Sequence, residues 1–415
     1  MKNSTLILLA FLLLGLSSKV SYGQNSPRQQ ADKYIREGDI HLRFGNWEQA
    51  ILHYENAISA DPTYADAFMK RAWLNQKIGR FQESLNDYNR AIQINPYSEY
   101  LFDQRAKIKL LAMDYKGVIE DHNKALLLSS DNVQLRESRV TDFITIGEYE
   151  KALADIDTLV SVRQQIEKDV LQRALVYLLI GEFVESRVLL DSALNENPKS
   201  SMAHDLKGLL NLKTKNYDEA ITCFTNAIKH NPDFELAYYN RAIAHRLLGN
   251  TKQALNDLNT AISMTTNNAN VYFSRGILKK EMGDLQGALD DYNKAIKIDE
   301  NYTDALYNRT FTLKMLGDYS KALSDAQAIT NLDPDSPENW NLKGNIQLLF
   351  GEYQDAIQSY TNALDIDPDY AEAFANRGVA YLMINHQREA CSDLQQSFGL
   401  GYKKAGEMMQ YFCGS

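Results

Sequence analysis

The sequence predicts an all-α solenoid assembled from two-helix units, and three observations carry that prediction. A frame of 34 residues placed at Ala31 can be stepped eleven times, to Lys404, without an insertion or a deletion. Small residues stay in phase with it: position 8 reads Gly38, Ala72, Ala106 and onward to Gly344 and Gly378, and position 20 runs from Ala50 to Ala390. Six of the eight prolines fall at position 32, namely Pro62, Pro96, Pro198, Pro232, Pro334 and Pro368. A fixed period of this length marks stacked supersecondary units, none of which can bury its apolar face alone.

The N-terminus carries a different pattern. Lys2 is followed by an apolar run from Leu6 to Leu16 and then by small and polar residues, Ser17 to Gly23. A basic start, a short apolar run and a small-residue site are the marks of a secretory signal peptide. Residues 1–23 are therefore expected to be a signal, cut after Gly23; the other reading is a retained anchor, although a span needs roughly 20 apolar residues. Residues 24–30 are polar and are expected to form a loose lead-in.

Within each frame the pattern is helical. Leu255, Leu258 and Ile262 show the i, i+3, i+7 spacing of one buried helical face. Small residues at positions 8, 20 and 27 let two helices approach closely, and larger ones at 17 and 24, such as Tyr353 and Tyr360, fill the space between them. Glycine at position 15, as in Gly45, Gly79, Gly283 and Gly351, ends the first helix by accepting a positive φ. Proline at position 32 prevents the second helix from continuing. Frames three and four are the weakest, with Ser130 and Gln164 in place of proline and Leu159 in place of alanine, but they keep the period and read as degenerate repeats. Tyr402 to Cys413 has the apolar residues of a capping helix, so residues 405–415 are expected to close the last repeat.

These residues resemble the tetratricopeptide repeat family, over about nine-tenths of the chain. Frame ten shows the signature most fully: Trp340, Gly344, Ala356, Tyr360, Ala363 and Pro368. The resemblance implies a right-handed superhelix whose first helices line a concave groove, and a function in holding proteins or peptides. It places groove residues at positions 2, 5, 9, 12 and 13. Frames seven to nine are distinctive there: Tyr239, Phe273 and Tyr307 at position 5, Ile243, Ile277 and Phe311 at position 9, and Arg246, Lys280 and Lys314 at position 12. An aromatic and apolar strip beside a basic row suits an extended peptide of acidic character, since aromatics and arginine dominate interface energetics. The competing reading is packing between neighbouring first helices. Some members of the family grip a C-terminal carboxylate with lysine at position 5 and asparagine at position 9. Here position 5 never carries lysine, so that mode is not expected.

Position 7 is basic in ten of the eleven frames, and position 23 is aspartate in seven of those ten. Where position 7 is Lys207 or Lys343, position 23 is Cys223 or Ser359; where it is Glu37, position 23 is His53. The two positions vary together, so the basic ladder reads as a set of ion pairs joining the helices of each repeat. Cys391 and Cys413 would meet if the cap packs on the last repeat. In an oxidising compartment they form a disulfide, and otherwise two buried thiols. No cysteine or histidine pair has metal-ligand spacing, and no nucleophile motif or phosphate loop is present. No catalytic residue, metal or cofactor is therefore expected.

The formal charge is −10, and loss of residues 1–23 removes Lys2 and Lys19 and makes it more acidic. Such a surface argues against non-specific nucleic-acid binding. Past the signal no apolar run is long enough to enter a membrane. The function expected from sequence is an exported, periplasmic or extracellular, non-catalytic scaffold for protein or peptide ligands. The alternative is an accessory subunit that positions a catalytic or transport partner in an envelope complex.

Overall fold

The computed structural model describes residues 26–163 and 166–414. The expected signal peptide, residues 1–23, lies outside the described residues. Among them the chain forms 23 α-helices and no strand. The helices are α1 (Pro27–Arg43), α2 (Trp47–Ala60), α3 (Ala65–Lys77), α4 (Phe81–Ile94), α5 (Glu99–Leu111), α6 (Tyr115–Leu128), α7 (Val133–Thr145), α8 (Tyr149–Val162), α9 (Glu167–Ile180), α10 (Phe183–Glu196), α11 (Ser201–Lys213), α12 (Tyr217–His230), α13 (Glu235–Leu247), α14 (Thr251–Met264), α15 (Ala269–Glu281), α16 (Leu285–Ile298), α17 (Thr303–Leu316), α18 (Tyr319–Leu332), α19 (Pro337–Phe350), α20 (Tyr353–Ile366), α21 (Ala371–Met383), α22 (Gln387–Gly399) and α23 (Lys403–Phe412). The chain divides into two compact units, one ending at Gly181 and the other beginning at Glu182. Each is an α-solenoid of antiparallel helix pairs, and the division falls inside frame five rather than in the degenerate frames three and four.

Helix boundaries follow the frame. Every position 15 has a positive φ, between 57° and 89°. Eight of these residues are glycines; the other three, Met113, Lys215 and Asn385, bear a side chain in a backbone region that L-residues rarely adopt. The core repeats as well. Ala50, Ala220, Ala288 and Ala356 at position 20 have no exposed surface, nor do Tyr54, Tyr88, Tyr292 and Tyr360 at position 24. Glycine at position 8 makes room for that ring: a Cβ on Gly276 would stand 2.6 Å from Tyr292, and one on Gly344 the same distance from Tyr360.

The N-terminal end differs from expectation. Residues 27–30 are helical and form the first turn of α1, because Ser26 and Gln29 make a capping box and Pro27 starts the helix. Arg28 also anchors this turn through Asp61, at 2.8 Å. At the other end α23, Lys403–Phe412, falls within the Tyr402 to Cys413 stretch read as a capping helix. Cys391 in α22 and Cys413 just past α23 are joined by a disulfide, with Cα atoms 5.6 Å apart. Cys223 remains a thiol whose pKa is pushed up by burial, which makes it a poor nucleophile.

Candidate partner-binding face

In the second unit the first helices touch one another as well as their own second helices: α11 meets α13, α13 meets α15, and α15 meets α17. That crowding makes them the inner layer of the unit. Positions 5, 9 and 12 of α13, α15 and α17 recur at the same place on successive turns of this layer.

The structure divides the strip into two classes. Phe273 is partly a packing residue, its ring centroid 5.0 Å from that of Tyr302 and 6.1 Å from that of Tyr292. Tyr239 accepts a hydrogen bond from the Ser274 hydroxyl at 3.4 Å, and the Tyr307 hydroxyl donates to Asn339. Tyr239 and Tyr307 tie one first helix to the next, and Phe273 packs on its own second helix and on the residue that caps α17. Ile243 and Ile277 are half-buried, and Phe311 is 43% exposed with the Lys314 ammonium 5.9 Å from its ring centre. In the basic row, Arg246 is neutralised by Glu281 at 2.8 Å, whereas Lys280 donates to the neutral Asn308 at 2.6 Å. The face therefore offers Ile243, Ile277 and Phe311 as an apolar edge and Lys280 and Lys314 as cations.

Sequence reasoning passed over Asp205, which holds position 5 of α11. It is 1% exposed and its Oδ1 accepts from Asn240 of α13 at 3.0 Å. Burial with only an amide for company pushes its pKa up to about 6. An acid at a position where most frames carry an apolar residue was the available signal.

The position-7 ladder is an intramolecular framework. In all seven Arg–Asp frames Nε and Nη2 donate to the two carboxylate oxygens at 2.6–2.9 Å, as in Arg275 to Asp291 and Arg309 to Asp325. In six of them Nη1 also reaches back to position 25 of the preceding repeat: Arg275 to Asn259 and Arg309 to Asn293 at 2.7 Å, Arg377 to Thr361 at 3.0 Å. One guanidinium thus joins three helices. In two frames that lack the aspartate at position 23, position 25 of the preceding repeat supplies the acid instead, Asp157 for Arg173 and Asp191 for Lys207. Glu37 faces His53 at 3.3 Å in the inverted pair of frame one.

Two frames add a second cation. Lys109 and Lys279 at position 11 reach Asp121 and Asp291 at 2.9 and 2.8 Å. Both pass over a glycine at position 19, Gly117 or Gly287, and both donate to its carbonyl. Lysine at position 11 and glycine at position 19 occur together in these two frames and in no other, a pattern the sequence already held.

The first unit contains a buried charged cluster. His122 takes the ring position 24 of frame three and is 1% exposed. Its Nδ1 stands 3.0 Å from Asp142 and its Nε2 3.6 Å from Asp103, which also accepts from Lys107 at 2.6 Å. Burial opposes the imidazolium, but the two flanking carboxylates outweigh it and raise its pKa above the ordinary value. A raised histidine pKa contributes stability that is full below the unfolded value of about 6.5 and lost as pH rises through the folded value. Urea unfolding of the first unit should therefore show a midpoint that falls on going from pH 6 to pH 9. His122→Gln should remove most of that slope, and a slope equal to the parent's would contradict the charged assignment.

Among the described residues no group of three or more His, Cys, Asp or Glu could hold a metal ion, and no helix is long and apolar enough to cross a membrane. Residues 208–249 and 344–385 match a family model described as TPR repeat. Residues 35–99, 236–268 and 269–302 match models described as tetratricopeptide repeat. The chain belongs to the tetratricopeptide repeat family, whose members serve as protein-binding scaffolds.

Three solved structures are similar to it. YrrB, described as a TPR protein with an unusual peptide-binding site, is 21% identical over 44% of this chain and 95% of its own, with a TM-score of 0.39. A tetratricopeptide repeat protein from Parabacteroides merdae ATCC 43184 is 20% identical over 69% and 99%, at 0.45. The Cut9–Hcn1 hetero-tetramer of the APC/C is 12% identical over 97% and 99%, at 0.45. Among curated proteins none matches.

Proposed function

We propose that the protein is an exported, non-catalytic scaffold that holds a partner protein or peptide on the inner layer of its second unit. One observation carries this reading: Ile243, Ile277 and Phe311 leave apolar surface open beside Lys280 and Lys314 on successive first helices. Apolar anchors recurring every 34 residues suit an extended chain that meets one repeat after another. The cations favour an acidic ligand over a basic one. Export is supported by the basic, apolar and small-residue pattern of residues 1–23 and agrees with the Cys391–Cys413 disulfide, a bond that persists in oxidising compartments.

The reading is tested by chemical crosslinking in cells of a C-terminally tagged copy, followed by fractionation and mass spectrometry. A small set of stoichiometric envelope or extracellular partners is the expected outcome. Recovery of the protein alone, or only from the cytoplasm, would contradict it.

A further inference from the structure

We propose that the Cys391–Cys413 disulfide is a redox latch on the C-terminal cap, so that its reduction releases α23 while the repeats behind it stay folded. The proposal is independent of the inner-face reading.

Helix α23 occupies the place that the first helix of another repeat would take. Its Ala405 has no exposed surface, as do Ala203, Ala237, Ala305 and Ala373 at position 3 of first helices. It is much less well held. A first helix in the middle of a unit packs on its own second helix and on the preceding one: α15, for example, packs on both α14 and α16. Among the described residues α23 packs chiefly on α22 and meets α21 at Ala375, with no helix on its far side to complete the repeat.

It is also the shortest of the described helices, at ten residues, below the roughly 12–15 at which an isolated helix becomes even marginal in water. Ala405 is its one fully buried residue, against Ala375 and Leu394, with Tyr402, Met408 and Met409 half-covered beside it. Tyr411 is 83% exposed and Phe412 is exposed too. The link from α22 contains Gly401 at φ 95° and follows Gly399, whose Cβ position is open space.

The bridge ties down the far end. Cys391 lies in the first half of α22, and Cys413 follows the last residue of α23, so the disulfide closes a loop of sequence separation 22 around the whole cap. The Gln387 side chain, which donates to the Phe412 carbonyl, reinforces the same end. Both cysteines are half-buried and therefore within reach of a small dithiol.

The redox step balances with a dithiol as two-electron donor. Its thiolate attacks one protein sulfur and breaks the S–S bond, and the other sulfur leaves as a thiolate that takes up a proton. The second thiol of the reductant then displaces the first protein sulfur, giving two protein thiols and an oxidised, cyclic disulfide of the reductant.

Hydrogen exchange with mass spectrometry on the full chain, with and without dithiothreitol, tests the latch. On reduction the amides of 403–412 should lose protection by roughly 100-fold, the size expected when a loop of this length is opened. Those of α13 to α18 should keep theirs. The Cys413→Ser chain should behave without reductant as the parent does with it. Unchanged protection in α23 after both bridge thiols have become alkylatable would overturn the proposal. So would equal loss throughout α20 to α22, or three reactive thiols in the denatured, unreduced protein.

Discussion

Replacing Asp291 with asparagine is expected to destabilise the second unit by about 3 kcal/mol, because it strands two cations rather than one. Asp291 is 1% exposed and is held by Arg275 at 2.6 and 2.9 Å and by Lys279 at 2.8 Å. Asparagine keeps the shape but removes the charge, and it cannot accept a bidentate guanidinium on both atoms. Asp257→Asn strands Arg241 alone and should cost less. Asp290→Asn, at the exposed neighbouring residue, should change almost nothing. Repeat arrays need not unfold in one step, so the readout is amide protection in α15 and α16 rather than a single melting temperature. Equal effects at positions 290 and 291 would remove the ladder from the account of stability.

The second large effect concerns binding. Combining Ile243→Ser, Phe311→Ser and Lys314→Glu should weaken partner affinity by at least about 30-fold, since a single truncated anchor at an interface often costs 2 kcal/mol. Tyr239, Phe273 and Arg246 are engaged within the protein: Phe273 with Tyr302, Tyr239 with Ser274, and Arg246 with Glu281. Substituting Phe273 would therefore mix a packing loss into the binding result. The triple variant should keep the amide protection of α13, α15 and α17. Retained affinity with that protection intact would place the ligand elsewhere.

Much of the fold was legible because it repeats. Eleven copies of one pattern turn a weak local preference into a strong one, and covariation within one chain exposed the Arg–Asp ladder at positions 7 and 23. The reach of that arginine to position 25 was legible in principle, since Asn89, Asn123, Asn259 and Asn293 are all acceptors at the right place. It is a contact between repeats, however, and a frame read one repeat at a time does not show it. The helical start at Pro27 was hidden because its turn is polar and is held by a capping box and the Arg28–Asp61 pair rather than by burial. The inner strip was legible as a composition and not as a surface. Whether an aromatic at position 5 faces a ligand or its neighbour depends on residues 32 to 35 further along the chain, as with Ser274 and Asn339.

The most direct test of the scaffold reading is a photo-crosslinking residue placed at position 311 on the inner layer and, separately, at position 290 on the second-helix side of the same unit. The account predicts a discrete partner adduct from position 311 and none from position 290. The same adduct from position 290 alone would contradict it.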